Sequence, residues 1–421
     1  MKVKRFFEYI RNNGLKATLI KVKMMFKNFG LRRTVQAVSQ AVSLIDIGKF
    51  YNFVCDQTTT PFSASDYRNA SGGNIILNWV VPEMGTSSGG HINIFRFVTK
   101  LQERGIQNRI YVDRCINMQS DEELRAFLRA NYGLDVDSIQ VFHGAEKMEF
   151  AHGVVATSWQ TAYPVKNYNN CISKFYFVQD YEPFFYAPGS EYSFAENTYR
   201  FGFRGITAGD WLKTKLRDEY GMKTESCGFS FDRTLYQPVE KRDNRNRVFF
   251  YARPVTPRRA FELGLLALIE LHRRIPDLEV IFAGWDVSNY QIPFIHLNGG
   301  CLRQEELSDL YGQCDMCLVL SSTNLSLLPL EVMASNSVVV SNRGDNNEWL
   351  LNDENSILTD MDPVNIAETM EYYMKNKDQL ERIRENGKKF AMNTDWDVEA
   401  EKVYKAVLDG IKEDELMLTG V

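Results

Sequence analysis

The sequence feature that most restricts the fold is an alternation of apolar strands and helices that starts twice along the chain. The first series begins with the mostly apolar run at 74–81 (NIILNWVV), a strand candidate that a glycine-rich loop follows. A helix is expected next, because apolar residues recur at helical spacing at Ile94, Phe97, Val98 and Leu101. Further strands are expected at 109–113, 153–159 and 174–180, and a further helix at 204–221. Apolar strands joined by helices are typical of a parallel sheet covered on both faces, so this series predicts a Rossmann-like domain.

The same alternation starts again after a polar, charged segment at 237–246 (QPVEKRDNRN). Its expected strands lie at 247–254, 278–285, 315–321 and 337–341, and its expected helices at 258–274, 303–313 and 329–335. A last amphipathic helix is indicated by the stripe Trp396, Ala400, Val403, Val407 and Ile411. The chain is therefore predicted to be α/β, with two facing Rossmann-like domains at 74–240 and 241–395. The helix at 396–421 is expected to return to the first domain.

The start of the chain differs from the two predicted domains in its charge. Residues 1–33 hold ten Lys or Arg and the single acid Glu8, although the net charge of the whole chain is −5. Stripes such as Val3, Phe6, Phe7 and Ile10 predict amphipathic helices up to about residue 50. With the Ser/Thr/Gly-rich stretch 57–73, read as a linker, they form an extension at 1–73. The basic helices either lie on an anionic membrane surface or pack on the first domain, and both interpretations stay open.

Composition and targeting signals point to the cytoplasm, with peripheral contact at the inner membrane surface if the basic helices bind lipid. No apolar run approaches the roughly 18 residues of a membrane-spanning helix, and the basic start lacks the features of a secretory signal. Seven scattered cysteines are typical of reduced thiols in a cytoplasm. The pair Cys314 and Cys317 lies at the start of an expected strand and predicts core packing. The acidic remainder of the chain argues against a nucleic-acid partner.

Two loops at the carboxyl ends of expected strands are candidates for binding an anionic ligand, because ligands of such sheets bind there. In the first, the glycines of Gly85–Gly90, with Gly89 and Gly90 at a helix start, let backbone N–H groups approach an anion. A plain tight turn explains that loop equally well. In the second, Arg253 and Arg258 offer guanidinium groups that suit a diphosphate. Two solvated arginines are the alternative.

A third candidate is the segment 321–344 (SSTNLSLLPLEVMASNSVVVSNRG), which places the acid Glu331 among apolar residues. The polar loop before it leads into a short helix whose first N–H groups have no partner within the helix. The backbone of Asn324, Leu325, Ser326 and Leu327 is therefore a candidate phosphate contact, and Glu331 a candidate acceptor for sugar hydroxyls. A carboxylate that is favoured at a helix start by the helix dipole is an equally good interpretation of Glu331.

Three other parts of the sequence contain candidate functional residues, but their sequence patterns are less specific. Asp180 ends the strand expected at 174–180 and is a candidate for a role near a reacting group. Asp135 and Asp137 imitate a D-x-D metal motif, but they follow Asn-Tyr-Gly and predict a surface loop. His91 follows the glycine loop and is interpreted as a helix-start residue, with ligand contact as the alternative. The histidines show no metal-ligand spacing, and no metal or cofactor is expected.

Together these motifs resemble the retaining glycosyltransferases of family 4, which have the GT-B fold, over most of residues 74–412. The family's G-R-x-x-x-x-K motif is matched by Ala252 and Arg253, with Arg258 at the lysine position. Its E-x7-E segment is matched by Thr323 to Glu331, so Thr323 replaces the first acid. The stretches VVATSW, YFVQDYEPFF and CGFSFD are similar to rhamnosyltransferases of bacterial surface glycans, including S-layer glycans.

The resemblance implies a metal-independent sugar transfer. The first domain would bind a glycan acceptor, either free or carried on a lipid, and the second domain would bind dTDP-β-L-rhamnose. Arg253, Arg258 and Asp180 would act in catalysis, Glu331 would bind the nucleotide ribose, and the new linkage would be β-1,2. Two alternatives stay open: a sugar-nucleotide epimerase, and a glycan-binding scaffold without turnover, which the loss of the acid at Thr323 favours.

Overall fold

The structure is a computed structural model that describes residues 46–86 and 88–419. The chain forms two compact units, Met1–Asp56 and Gln57–Val421. In the first unit the described residues form helix α1 (Ile47–Cys55), where the Asp46 side chain accepts a hydrogen bond from the backbone N–H of Lys49. The helices predicted within residues 1–45 lie outside the described residues.

The second unit begins with the segment 57–73, which differs from the predicted linker because it contains helix α2 (Ala64–Ala70). The Ser63 hydroxyl caps this helix by accepting a hydrogen bond from the backbone N–H of Asp66 at 3.3 Å. The Tyr67 hydroxyl donates to Glu415 at 2.7 Å and attaches the helix to the end of the chain. The polar composition that suggested a linker therefore includes the residue that starts a helix.

The first domain contains, within the described residues, a seven-stranded parallel sheet with the order β3-β2-β1-β4-β5-β6-β7. Its strands are β1 (Ile76–Pro82), β2 (Gln107–Asp113), β3 (Gln140–His143), β4 (Ala151–Ala156), β5 (Cys171–Val178), β6 (Arg204–Ala208) and β7 (Thr224–Cys227). Its helices are α3 (Gly89–Glu103), α4 (Asp121–Tyr132), α5 (Trp159–Asn167), α6 (Ser190–Thr198) and α7 (Asp210–Tyr220). Strand β4 is buried at every position, as a central strand covered by helices on both faces requires.

One predicted helix of the first domain is corrected by the structure. The segment 204–221 was expected to be helical throughout, but it forms β6 and then α7. Gly209 separates the two elements with a φ of +88°, a conformation that glycine adopts without strain. The four residues before it are buried between β5 and β7, so sheet packing decides their conformation.

The second domain contains, in the part of the chain that the structure describes, a six-stranded parallel sheet with the order β10-β9-β8-β11-β12-β13. Its strands are β8 (Arg247–Tyr251), β9 (Glu279–Ala283), β10 (His296–Gly300), β11 (Met316–Leu318), β12 (Val338–Asn342) and β13 (Ile357–Thr359). Its helices are α8 (Phe261–Arg274), α9 (Gln304–Gly312), α10 (Leu328–Ala334), α11 (Asp345–Glu348), α12 (Pro363–Lys375) and α13 (Lys377–Met392). The prediction of two Rossmann-like sheets is confirmed.

The last helix, α14 (Trp396–Thr419), returns to the first domain as the sequence predicts. Its predicted stripe, from Ala400 to Ile411, is buried in the same apolar cluster as β1 and α3. Arg204 on β6 holds it through a hydrogen bond from Nε to Asp414 at 3.0 Å. No helix within the described part of the chain combines the length and the apolar character that crossing a membrane requires.

Candidate functional site

The candidate residues meet where the carboxyl ends of the two parallel sheets approach each other. Asp180 follows β5 of the first sheet, whereas Arg253 and Arg258 follow β8 of the second sheet. The loop 321–327 follows β11 and leads into α10, which carries Glu331. Because both sheets are parallel, the strands bring these distant parts of the sequence to the same edges.

Asp180 joins the first domain to the loop 321–327 of the second. Its Oδ2 accepts a hydrogen bond from the Thr323 hydroxyl at 2.9 Å, and its Oδ1 accepts one from the backbone N–H of Asn324 at 2.9 Å. Burial raises the pKa of Asp180, against the opposing effect of the Arg259 charge and the Asn324 N–H. The threonine at the position of the family's first acid therefore binds a carboxylate that the other domain supplies.

Asn324 makes three further contacts through its side chain, which is buried. Its amide nitrogen donates to the carbonyl oxygens of Gln179 at 2.9 Å and Ala208 at 2.7 Å. Its amide oxygen accepts from the indole N–H of Trp349 at 2.8 Å. The sequence predicted a ligand contact for this residue, whereas the structure also gives it a role in holding the two domains together. Among its predicted neighbours, Leu325 is buried, and Ser326 and Leu327 are half-buried.

The three arginines after β8 have different surroundings. Arg258 lies with its Nε 3.7 Å from Asp180 Oδ2 and its Cζ 4.1 Å from the centre of the Phe185 ring. The buried Nε of Arg258 has no hydrogen-bond partner among the described residues. Arg253 donates to the carbonyl oxygen of Gly284 at 3.1 Å. Arg259, which the sequence did not single out, donates to the Ser321 hydroxyl at 2.6 Å and so supports the loop 321–327.

Local geometry explains why adjacent arginines reach different targets. Pro257–Arg259 forms a tight 3-10 turn, and Ala260 next to it has a φ of +46°. A non-glycine residue with positive φ is strained, and such strain clusters at functional sites. The turn is also attached to the candidate loop, because the backbone N–H of Ser322 donates to the carbonyl oxygen of Arg258 at 2.9 Å.

Glu331 lies in the first turn of α10 and is half-buried. Burial raises its pKa to about 7, although a hydrogen bond with Tyr236 and the charge of Arg96 oppose this effect. Arg96 belongs to α3 of the first domain, and its guanidinium lies 4.2 Å from the centre of a Trp396 ring. The carboxyl of Glu331 is therefore poised between its neutral and ionised forms near neutral pH.

The glycine loop is connected to the same edge of the first domain. Gly89 and Gly90 start α3, and the Gln179 side chain donates to the carbonyl oxygen of Gly90 at 3.0 Å. Both ring nitrogens of His91 form hydrogen bonds. Nδ1 lies 2.7 Å from the Ser88 hydroxyl, and Nε2 lies 3.2 Å from the carbonyl oxygen of Pro82 at the end of β1. Burial lowers the pKa of His91 to about 4, so the ring is neutral at neutral pH. These contacts agree with the interpretation of His91 as a helix-start residue.

Two other sequence candidates have structural roles. Asp135 and Asp137 are exposed in a turn, where Asp135 accepts a hydrogen bond from the Ser138 hydroxyl at 2.7 Å. Cys314 and Cys317 are buried, so the prediction of core packing is confirmed. Within residues 46–86 and 88–419, no group of three or more His, Cys, Asp or Glu side chains is placed to hold a metal ion.

Comparisons with known proteins agree with this architecture. Residues 246–371 match the family model described as WsaF, C-terminal domain. The chain is 33% identical over 341 residues to the O-antigen biosynthesis protein RfbC of Myxococcus xanthus. That match covers 79% of this chain, and the chain spans only 27% of the length of RfbC.

Solved structures show the same fold at low sequence identity. HepE of Anabaena, in complex with UDP and glucose, is 12% identical with a TM-score of 0.59, covering 80% of this chain and 99% of HepE. The pneumococcal O-GlcNAc transferase GtfA, in complex with UDP and GlcNAc, is 10% identical with a TM-score of 0.61, covering 80% of this chain and 99% of GtfA.

The two parallel sheets, the returning last helix and these structural neighbours define the GT-B fold of glycosyltransferases. Within that fold, residues 246–371 are similar to the C-terminal domain of WsaF, and the chain is similar to RfbC over 341 residues.

Proposed function

We propose that the chain is a retaining glycosyltransferase that moves L-rhamnose from dTDP-β-L-rhamnose to a rhamnose-containing glycan through a β-1,2 linkage. The observation that carries the proposal is the position of Arg258 at the junction of the two domains. Its buried Nε lacks a hydrogen-bond partner among the described residues and lies 3.7 Å from Asp180 Oδ2. An unpaired buried donor is costly, and an oxygen of a bound diphosphate would satisfy it with a charge-assisted hydrogen bond.

The proposed chemistry places fixed charges where charge develops during transfer. Breaking the bond between sugar and diphosphate puts negative charge on the leaving diphosphate and positive charge on the anomeric carbon. Arg253 and Arg258 would stabilise the diphosphate, together with backbone N–H groups of Leu325 to Leu327 and of the loop at Gly89 and Gly90. The Asp180 carboxylate would oppose the positive charge of the sugar. The leaving phosphate would accept the proton of the attacking hydroxyl on the same face, which retains the anomeric configuration.

The identity of the donor is supported by resemblance and is the part of the proposal that most needs testing. The WsaF domain match and the name of RfbC support a sugar used in bacterial surface glycans. HepE and GtfA were solved with UDP, so uridine nucleotides are the first alternatives to dTDP. Glu331 would bind the sugar of the nucleoside in either case, since the deoxyribose of dTDP offers its 3′-hydroxyl and the ribose of UDP offers both its 2′- and 3′-hydroxyls to a carboxylate.

A scaffold without turnover is the second candidate, and Thr323 is the observation that favours it. A threonine hydroxyl cannot replace the charge of a glutamate. The contact between Thr323 and Asp180 answers this objection in part, because it places a carboxylate 2.9 Å from the Thr323 hydroxyl. The transferase proposal therefore assigns to Asp180 the negative charge that position 323 lacks.

The experiment that tests the proposal incubates the full chain with dTDP-β-L-rhamnose and short rhamnosylated acceptors. Release of dTDP together with an acceptor extended by one sugar supports transfer. An isomerised donor without acceptor extension would instead identify an epimerase, and donor binding without chemistry would identify a scaffold. UDP-glucose and UDP-GlcNAc are assayed in parallel, so that a wrong donor is not mistaken for an inactive protein.

The proposed place of the reaction is the inner surface of the membrane, on an acceptor linked to a lipid. The ten cations among residues 1–33 support this idea, because each Lys or Arg near anionic lipid contributes about 1 kcal/mol. Those residues lie outside the described part of the chain, and packing on the first domain is the competing interpretation.

A further inference from the structure

A turn of the first domain makes two contacts with the guanidinium of Arg258 in the second domain. This turn, residues 180–186, begins with Asp180 and includes the 3-10 helix Glu182–Phe185. The Phe185 ring centre lies 4.1 Å from Arg258 Cζ, and Asp180 Oδ2 lies 3.7 Å from Arg258 Nε. The side chain proposed to bind the diphosphate is thus held by residues of the opposite domain.

The turn is itself firmly anchored in the first domain by Glu182. Its carboxylate, buried behind the turn, accepts hydrogen bonds from the backbone N–H of Trp159 and from the Tyr176 hydroxyl, both at 2.9 Å. Its own backbone N–H donates to the Tyr199 hydroxyl at 3.1 Å. Two hydrogen bonds to the carboxylate and one from the backbone N–H therefore tie Glu182 to three separate parts of the first domain, and Phe185 belongs to the same 3-10 helix.

We propose that Phe185 is a positioning residue that holds the Arg258 guanidinium ready for the donor diphosphate, so that donor binding depends on contact between the two domains. The proposal rests on the proposed function, because it takes Arg258 as a ligand of the diphosphate.

An aromatic ring suits this task better than a second acid would. A cation over a ring face is attracted without giving up its N–H donors, which stay available for phosphate oxygens. Asp180 is already shared with Thr323 and the backbone of Asn324, so it neutralises Arg258 only in part. Without the ring, the long arginine side chain would have to be ordered each time the donor binds.

The neighbouring Phe184 provides a matched control within the same turn. Its side chain is 44% exposed, and its ring packs edge-on against Tyr181 with the centroids 4.6 Å apart. It makes a cation–π contact with Lys215 rather than with Arg258. Replacing either phenylalanine by leucine removes one ring from the turn, but only the change at Phe185 removes the support of Arg258.

The test measures dTDP binding by calorimetry, and kcat and KM for the donor, in Phe185→Leu, Phe185→Tyr and Phe184→Leu. Phe185→Leu should weaken dTDP binding about tenfold, as expected for a partly desolvated cation–π contact, and Phe185→Tyr should restore it. Phe184→Leu should stay within about twofold of the native chain. The KM for the acceptor should not change in any of them.

A double-mutant cycle with Arg258→Ala separates this proposal from the proposed function. If Phe185 acts through Arg258, adding Phe185→Leu to Arg258→Ala should cost no further affinity. If Arg258→Ala leaves dTDP binding unchanged, the proposed diphosphate site is wrong. If Arg258→Ala weakens binding but Phe185→Leu behaves like Phe184→Leu, the diphosphate site stands and the positioning role is refuted. If Phe185→Leu does not fold, Phe185→Met, which also lacks a ring, carries the same expectation.

Discussion

Replacing Glu331 by glutamine should remove a pH dependence that the native carboxyl gives to nucleotide binding. Burial in the first turn of α10 raises the pKa of Glu331 from its ordinary 4.5 to about 7. The titratable and charged groups that act on it are Tyr236, Arg96 and Asp232. The ionised carboxylate is the strong acceptor for the 3′-hydroxyl of the dTDP deoxyribose, because a charged acceptor makes a stronger hydrogen bond than a neutral carboxyl does. Binding should therefore favour the ionised form and strengthen as the pH rises through 7.

The magnitude follows from the protonation equilibrium. Below the folded-state pKa, the carboxyl must lose a proton to accept from the ribose, which costs about 1.4 kcal/mol, or tenfold in affinity, per pH unit. Affinity for dTDP should thus fall about tenfold between about pH 8 and about pH 6, since the pKa lies between them. Glu331→Gln cannot ionise, so its affinity should be weak and should keep only the pH dependence that comes from the terminal phosphate of dTDP, whose second pKa is about 6.

The raised pKa of Glu331 also predicts that the fold loses stability as the pH rises, whereas dTDP binding becomes stronger. A carboxyl whose folded-state pKa is raised stabilises the fold fully below its unfolded-state pKa of 4.5, and this stabilisation is lost as the pH rises through about 7. Glu331→Gln should therefore be more stable than the native chain above pH 7, by at most about 3 kcal/mol, because raising the pKa from 4.5 to about 7 costs about 1.4 kcal/mol per pH unit. The difference should vanish in acid.

Two experiments across the pH range measure these effects on the same samples. Calorimetric titration with dTDP gives the binding affinity, and urea denaturation gives the free energy of unfolding. The expected pair of results for Glu331→Gln is a higher free energy of unfolding above pH 7 and a weaker dTDP binding that depends less on pH than that of the native chain. Unchanged dTDP binding in Glu331→Gln would refute the ribose contact. A loss of stability at neutral pH would show instead that the carboxylate acts as a helix cap.

Three further predictions concern other parts of the molecule. Arg253→Ala should lower turnover about a hundredfold or more, by analogy with the loss of one fixed donor to a developing anion, and near-normal kcat of the folded variant would contradict its role. Activity should persist in EDTA because arginines neutralise the diphosphate, and a complete loss that added metal reverses would refute this. Co-sedimentation with anionic vesicles should weaken with salt and disappear on deletion of residues 1–33, and a full-length chain that ignores such vesicles at low salt would refute membrane binding.

The central strands of both sheets were predictable because they are buried on both faces. The runs 74–81 and 337–341 are mostly apolar and do not alternate between apolar and polar residues, as expected of strands that helices cover on both faces. Strand β6 was missed because its five residues pass directly into α7 at Gly209. The edge strands β3, β7 and β10 were missed because exposed or half-buried positions interrupt their apolar pattern. The edge strand β13 was missed because it has only three residues.

The candidate site was predictable as separate loops and not as an assembly. Glu331 stands out because it is an acid among apolar residues, and Arg258 stands out because it follows an apolar strand. The hydrogen bond between Asp180 and Thr323 joins residues 143 positions apart, and one sequence contains no signal that pairs them. The Phe185 contact with Arg258 was likewise hidden, since an aromatic residue after a strand is more often part of a core.

The most direct test of sugar transfer is a proton NMR spectrum of the product formed from dTDP-β-L-rhamnose and a rhamnosylated acceptor. Retaining transfer predicts that the acceptor gains one sugar with the donor's own β configuration while an equal amount of dTDP is released. An α-linked product would contradict the retaining mechanism. If the acceptor stays unchanged with each nucleotide sugar that the chain binds, the assignment of the chain as a transferase is contradicted.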